Sequence, residues 1–259
     1  MLLFDFASMC IFKLEEVLKL KIEVWSDFVC PFCYIGKRHL EHALEKFPHR
    51  DSVTIEYKSF QLDPNARHIP GKSFYETFSE LKGMPLNQVI AMNKQVGEQA
   101  KKVGLTYRFD TMQYANTLDA HRVAKYAETA GKGKEITERF LFAYFTESKL
   151  ISDHETLADL AEEVGLDREE VLNVLKSNKY TREVREDIDV ARQIGVRGVP
   201  FFVFNEKYAV SGAQPEEVFV QALEKVWEEE KEKPALQPLN PKQSETSYCT
   251  DEGCEIKEK

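Results

Sequence analysis

Two cysteines, with two residues between them, stand in the run Cys30-Pro31-Phe32-Cys33, and their thiols are the groups in this chain best suited to covalent chemistry. The run stands where a predicted strand gives way to a predicted helix. At a helix N-terminus the unpaired N–H groups and the positive end of the helix dipole favour an anion, here the reactive thiolate of Cys30. Cys33 follows one turn later on the same face, close enough for a disulfide. The motif therefore predicts a centre that cycles between dithiol and disulfide, in which Cys30 attacks and Cys33 resolves.

Half of a structural zinc site is the other common use of a CxxC motif. Zinc knuckles lack a strand before the motif and a long helix after it, so the context here favours redox chemistry. Cys30 lies earlier in the helix turn and is expected to be the more exposed thiol, with the lower pKa. We predict no metal at this motif and no organic cofactor.

Three further cysteines stand outside the motif. Cys10 has no partner nearby in the sequence and is expected to be inert. Cys249 and Cys254 leave three interpretations open: a second redox pair that exchanges with Cys30 and Cys33 through a flexible arm, a metal clip formed with that pair, or tail thiols without a role. Five cysteines in 259 residues are too few for a disulfide-based scaffold.

The elements that must position the motif follow from the hydrophobic pattern. Residues 21–28 alternate as a strand, 32–47 have helical spacing, and 53–60 alternate as a second strand. A βαβ unit of this length implies a parallel strand pair with a right-handed crossover. Seven helices are then predicted, over residues 73–82, 86–103, 116–130, 133–146, 153–164, 167–176 and 179–194.

Strand character returns after this helical block. Residues 199–204 and 207–211 are predicted to form a hairpin, and a last helix opens at Gln214-Pro215 and runs to about Lys233. The rest of the chain, residues 234–259, is polar and without periodicity, which predicts a flexible tail.

Composition limits the classes of partner. The chain has a formal net charge of −9 and 42% hydrophobic residues. Its pI is about 5.4. A nucleic-acid or anionic-membrane partner would require a basic surface, so we predict neither. The core can be of ordinary size.

Residues 1–20 are apolar, but no Lys or Arg precedes Lys13, and Asp5 interrupts the start. A secretory signal needs a basic start and a small-residue cleavage site, and a membrane span needs a longer apolar run. We therefore predict a cytoplasmic protein. A further hypothesis is that this N-terminal extension reflects a start codon assigned too early, because the globular pattern begins abruptly at Lys21.

A βαβ unit with a redox CxxC motif, followed by a ββα unit that opens with a proline, resembles the thioredoxin pattern. The helical block between the two halves resembles the DsbA-like branch. More narrowly, the chain resembles the cytoplasmic FrnE-like members of the DsbA family. The matching motifs are residues 25–36, 60–64, 116–122, 143–145 and 195–202, within a match that covers about residues 21–232.

This resemblance implies an α/β protein with a thioredoxin fold and a large all-helical insertion. Residues 21–65 and 195–233 would form the thioredoxin-like domain, and residues 66–194 the insertion. The cysteines of the tail, Cys249 and Cys254, resemble a second CxxxxC motif of some FrnE-like members.

The resemblance also implies thiol–disulfide exchange on protein or small-molecule thiols and disulfides. A cis peptide bond is expected at Val199–Pro200, although trans is the ordinary state of such bonds. The residues expected to bind substrate are Val199, Pro200, Phe32, Asn116 and His121. For His121, packing against a neighbouring helix is the alternative.

Two departures from the wider superfamily affect the predicted activity. Secreted DsbA proteins usually carry a His between the cysteines, whereas Pro31 and Phe32 stand there in this chain, so a less oxidising centre is expected. Glutathione-dependent isomerases and kappa-type glutathione transferases share the superfamily and commonly have Ser in place of the reactive Cys. They are the alternative function, with glutathione as partner, but retention of both Cys30 and Cys33 favours dithiol chemistry.

Overall fold

The CxxC motif joins a central strand to the first helix. A computed structural model describes residues 19–232, together with the short segments 248–250 and 253–255. Strand β1 spans Leu20–Ser26, helix α1 Pro31–Lys46 and strand β2 Val53–Ser59. The two strands pair in parallel over their whole length. The predicted βαβ unit is therefore confirmed.

The helical block follows as predicted. Its helices are α2 Phe74–Lys82, α3 Leu86–Lys102, α4 Leu118–Thr129, α5 Gly133–Phe145, α6 His154–Glu163, α7 Arg168–Lys176 and α8 Thr181–Gln193. Polar side chains cap several of these helices. Asp167, for example, is the N-cap of α7 and accepts a hydrogen bond from the backbone N–H of Glu170, which satisfies one of the free donors in the first turn of that helix.

The chain then returns to the sheet. Strands β3 (Phe201–Phe204) and β4 (Tyr208–Ser211) and helix α9 (Glu216–Glu232) complete the fold. The strand order is β2-β1-β3-β4, and β3 is antiparallel to both of its neighbours. This is the predicted thioredoxin arrangement, with an all-helical insertion between its βαβ and ββα halves.

Helix α1 belongs to two hydrophobic cores. Leu40 and Ala43 pack in the core between the sheet and α9. Tyr34 and Ile35, one to three turns earlier, pack in the core of the insertion. The start of α1 is therefore held between the two parts of the fold, and the CxxC motif lies where they meet.

Two boundaries differ from prediction beside the motif. Strand β1 ends at Ser26 rather than at residue 28, because the backbone turns there and the N–H of Cys30 donates to the carbonyl of Asp27 at 3.1 Å. Strand β3 begins at Phe201 rather than at residue 199, directly after the Val199–Pro200 bond.

Within the tail, two three-residue strands, β5 (Tyr248–Thr250) and β6 (Gly253–Glu255), form an antiparallel hairpin. The prediction of a flexible tail missed this hairpin, whose register sets Cys249 opposite Cys254. The remainder of the tail and Cys10 lie outside the described residues.

Candidate active site

Cys30 occupies the N-cap of α1, with extended backbone angles (φ −89°, ψ 111°), and Pro31 follows at the first helical position. Proline suits this position because its fixed φ is helical and its missing N–H would have no partner there. The N–H of Cys33 donates to the carbonyl of Cys30 at 3.0 Å, which closes the first turn. The sequence therefore builds the predicted geometry locally, with both cysteines in one turn.

Both thiols are free and both are buried. Cys30 is 4% exposed and Cys33 3%, so the expected difference in exposure is absent. Burial raises the pKa of the Cys33 thiol well above its ordinary value, and a hydrogen bond to Cys30 adds to the increase. Hydrogen bonds with the Ser26 side chain and the Asp27 backbone oppose it less strongly. Cys33 therefore keeps its proton at neutral pH, which leaves Cys30 as the thiol suited to attack.

The backbone around Pro200 closes one side of the motif. The Val199–Pro200 peptide bond is cis, and the thiol of Cys30 donates to the carbonyl of Val199 at 3.5 Å. A Cβ atom placed on Gly36 would lie 3.0 Å from Cγ of Pro200 and 3.2 Å from Cζ of Phe202. Position 36 of α1 is therefore occupied by glycine, because Pro200 approaches the helix too closely there to leave room for a side chain.

Tyr107 contacts the motif from the loop between α3 and α4. Its hydroxyl donates to the carbonyl of Pro31 at 2.8 Å, and its ring stacks on Phe145 with centroids 4.5 Å apart. Sequence reasoning missed Tyr107, because 76 residues separate it from Pro31 and the contact exists only in the folded chain.

Two depressions flank the exposed ring of Phe32. One is an apolar cavity of about 490 Å³ that Cys30 also lines. The other, of about 560 Å³, is lined by Pro200 together with polar side chains that include His39 and Lys102. Phe32 and Val199 contribute to both, so a group bound in either depression would lie beside the motif.

Neither a metal cluster nor a membrane span is evident in the part of the chain that the structure describes. No group of three or more His, Cys, Asp or Glu side chains there could hold a metal ion. None of its helices combines the length and apolarity needed to cross a bilayer.

A family model described as the DSBA-like thioredoxin domain matches residues 21–224. The chain belongs to this DSBA-like family. The protein YwbO of Bacillus subtilis (strain 168) is 28% identical over 210 residues, which cover 78% of this chain and 94% of YwbO. A solved structure of a probable DsbA oxidoreductase from Streptomyces coelicolor is 37% identical, with a TM-score of 0.77, and covers 92% of this chain and 100% of its own.

A more distant structure shares the fold alone. Cytosolic disulfide reductase DsbM from Pseudomonas aeruginosa, solved with GSH, is 15% identical with a TM-score of 0.59. The match covers 80% of this chain and 99% of that one.

Of the residues predicted to bind substrate in this DSBA-like chain, three surround the motif. Val199 and Pro200 lie beside Cys30, and Phe32, which is 40% exposed, stands between the two depressions. That these three residues bind substrate stays a prediction.

The other two predicted residues, Asn116 and His121, are engaged inside the DSBA-like fold. The amide nitrogen of Asn116 donates to the carbonyl oxygens of Pro64 at 2.9 Å and Ala66 at 3.3 Å, and its oxygen accepts from the N–H of Leu118. His121 is 3% exposed, and its Nε2 lies 3.0 Å from the carbonyl oxygen of Phe60. These contacts give both residues a role in holding the segment after β2, and a part for either of them in substrate binding stays a prediction.

Asp27 lies in the turn between β1 and the motif. It is 1% exposed, and its Oδ2 accepts from the N–H of Leu62 at 2.8 Å. Its backbone carbonyl receives the N–H of Cys30. Asp27 therefore ties the strand that enters the motif to the segment that follows β2.

Proposed function

We propose that this protein is a thiol–disulfide oxidoreductase whose reactive centre is the Cys30–Cys33 pair. The observation that carries the proposal is the asymmetry of the pair. Both thiols are buried, but Cys30 stands at the start of α1 and lines a cavity, whereas the thiol of Cys33 has a raised pKa. Membership of the DSBA-like family supports the same chemistry.

In the reducing direction, the Cys30 thiolate attacks one sulfur of a substrate disulfide. The substrate S–S bond breaks, its other sulfur leaves as a thiolate, and a mixed disulfide forms at Cys30. Cys33 then passes its proton to the leaving thiolate and attacks the sulfur of Cys30. The second substrate thiolate departs, so the substrate has gained two electrons and the protein holds a Cys30–Cys33 disulfide. Oxidation of a substrate dithiol runs through the same steps in reverse.

The substrate chain would lie against Val199, Pro200 and Phe32. The Val199 carbonyl already accepts a hydrogen bond from the Cys30 thiol, so a substrate backbone beside it would come within reach of the reactive sulfur. Phe32 offers an exposed ring in the motif itself.

We also propose that Cys249 and Cys254 form a second redox pair. Their opposed register in the β5–β6 hairpin supports this, because facing residues of antiparallel strands have Cα atoms about 4.5–5.5 Å apart and disulfides span about 4.4–6.8 Å. This pair would exchange with Cys30–Cys33 during turnover.

The test is reduction of insulin disulfides with dithiothreitol as electron donor. Wild type is compared with Cys30→Ser, Cys33→Ser and the double variant Cys249→Ser/Cys254→Ser. We expect Cys30→Ser to abolish catalysed turnover, Cys33→Ser to accumulate a mixed disulfide with substrate, and the tail variant to turn over more slowly. Wild-type turnover no faster than that of Cys30→Ser would contradict the proposal.

A glutathione-dependent isomerase or transferase is the second candidate. The depression beside Pro200 favours it, because Lys102 could receive a carboxylate of glutathione. This candidate requires only one reactive thiol. It therefore predicts that Cys33→Ser keeps full activity, whereas the oxidoreductase proposal predicts that the variant stalls.

A further inference from the structure

The apolar cavity beside Cys30 has the size of a small-molecule site. Its volume is about 490 Å³, and ligand pockets generally measure about 300–1,000 Å³. Its walls come from the CxxC motif, from the segment after β2, from α2, α3 and α5, from the loop that precedes α4, and from Val199. A larger depression of about 670 Å³ lies between α1 and α5, but Cys30 does not line it, and paired charges such as Arg38 and Glu138 do.

Apolar and aromatic side chains make most of the cavity wall. Six buried examples are Phe74, Val96, Phe109, Met112, Ala115 and Tyr144. The insertion supplies all six, so it builds most of the apolar wall, and the thioredoxin-like half contributes the CxxC motif and Val199. Such a wall favours a ligand group with a ring or a branched hydrocarbon, which gains free energy by leaving water.

A few polar groups interrupt this wall. Asn93 is 5% exposed, and its amide nitrogen donates to the carbonyl of Val89 at 2.9 Å, which leaves the amide oxygen as an acceptor. Thr117 is 2% exposed and makes no side-chain capping bond to α4. Lys82, an exposed residue, adds a positive charge to the lining. A ligand that suits all three has an apolar ring, a hydrogen-bonding substituent and a negative charge at its outer end.

We propose that this cavity binds the organic group of a small aromatic disulfide or thiol that carries a carboxylate, and that it holds the sulfur of this group against Cys30. This inference names a substrate class for the oxidoreductase and therefore rests on the proposed function. The reaction is the exchange already described. Cys30 attacks the aryl disulfide, one aryl thiolate leaves, and Cys33 displaces the second, so the disulfide gains two electrons and the protein dithiol is oxidised.

The test measures the preference of the reduced protein between two disulfides in single-turnover experiments. One is 5,5′-dithiobis(2-nitrobenzoate), which is aromatic and carries carboxylates, and the other is bis(2-hydroxyethyl) disulfide, which is small and neutral. Ala66 is buried in the cavity wall, and Ala91 is exposed on α3. We take the ratio as the rate constant for the aromatic disulfide divided by that for the neutral one. Ala66→Leu should lower this ratio by at least about tenfold, because the larger side chain fills part of the cavity. The matched control Ala91→Leu should leave the ratio unchanged.

Met92→Trp provides a second way to fill the cavity if Ala66→Leu does not fold. An unchanged ratio in every cavity variant that folds would overturn the proposal. A direct binding measurement distinguishes an error in the cavity proposal from an error in the proposed thiol–disulfide exchange. The Cys30→Ser protein should bind 1-anilinonaphthalene-8-sulfonate, an aromatic anion, with an affinity that falls severalfold on adding Ala66→Leu or Lys82→Gln.

Disulfide reduction and probe binding give different results depending on which proposal is wrong. If wild type reduces neither disulfide but the Cys30→Ser protein binds the probe with this dependence, the cavity is a ligand site and the oxidoreductase proposal is wrong. If the disulfides are reduced but the probe does not bind, or binds equally to the Ala66→Leu variant, the cavity proposal is wrong and the oxidoreductase proposal stands.

Discussion

The carboxylate of Asp27 and the imidazole of His121 meet inside the protein, with Oδ1 of Asp27 3.3 Å from Nε2 of His121. Their side chains are 0% and 4% exposed. Asp27 lies three residues before Cys30, and His121 lies on α4 of the insertion. The pair therefore joins the strand–helix junction that carries the reactive thiol to the helical block that builds the cavity wall.

We expect Asp27→Ala to lower the free energy of unfolding by about 2 kcal/mol, because it removes the acceptor of the Leu62 backbone N–H and one of the two oxygens near Nε2 of His121, the carbonyl of Phe60 being the other. Urea unfolding followed by circular dichroism measures the change. Asp110→Ala removes an exposed carboxylate and should change the stability by less than about 0.5 kcal/mol. Equal stability of the two variants would show that the buried contacts contribute nothing.

The two thiols of the reduced protein should react at different rates with iodoacetamide at pH 7. Burial and the hydrogen bond to Cys30 raise the pKa of Cys33, so its thiolate is scarce at neutral pH and increases only as the pH rises. Peptide mapping by mass spectrometry should therefore find Cys30 alkylated and Cys33 protected. In urea both should react alike. Faster modification of native Cys33 would reverse the assigned roles.

Gly36→Ala should destabilise the protein although alanine is the better helix former. The added Cβ would lie 3.0 Å from Cγ of Pro200, and the resulting overpacking costs about 1–3 kcal/mol, more than the gain of about 1 kcal/mol in helix propensity. Displacement of Pro200 should also slow insulin reduction. Gly97→Ala in α3 is the control, since its Cβ would meet only Phe109 at 3.9 Å, and it should be neutral or stabilising. Similar thermal midpoints for the two variants would contradict the argument.

Tyr107→Phe removes the hydrogen bond from its hydroxyl to the carbonyl of Pro31 but keeps the ring that stacks on Phe145. We expect a loss of about 1 kcal/mol in the free energy of unfolding. Because the bond holds the first residue of α1, the alkylation rate of Cys30 should change as well. Tyr126→Phe, remote from the motif on α4, is the control. An unchanged Cys30 rate would limit Tyr107 to packing.

The sequence predicted what short-range patterns determine. Alternation in residues 21–28 and 53–60 located β1 and β2, and the position of Cys30 at the junction located the N-terminus of α1 to within one residue. Two contacts at the site join segments that are far apart in the chain: Pro200 with Gly36, and Tyr107 with Pro31. A local sequence pattern cannot predict such contacts. The β5–β6 hairpin was missed because three-residue strands are too short to show alternation. The FrnE-like subgroup and the cytoplasmic location stay predictions.

Glu138 links α5 to the helix that carries the reactive cysteines. Its carboxylate accepts hydrogen bonds from the Tyr34 hydroxyl at 2.6 Å and from the charged groups of Lys37 and Arg38. Burial raises the pKa of the Glu138 carboxyl, but the bonds from Arg38 and Lys37 lower it more, and the resulting pKa is about 2 against an ordinary value of 4.5. The carboxylate is therefore more stable in the folded protein than in the unfolded chain.

The lowered pKa of Glu138 determines the direction in which pH changes the stability of the protein. The contribution of Glu138 to stability is fully present above about pH 4.5 and is lost as the pH falls toward 2. Glu138→Gln lacks the charge at every pH. Wild type should therefore be more stable than the variant at pH 6, and the difference should shrink as the pH falls from 4.5 toward 2. Urea unfolding at several pH values measures this difference. Glu135→Gln, at a more exposed position in the same helix, is the control and should differ little from wild type in stability at any pH. If the stability difference between wild type and Glu138→Gln stays constant with pH, the ion pairs of Glu138 do not stabilise the fold.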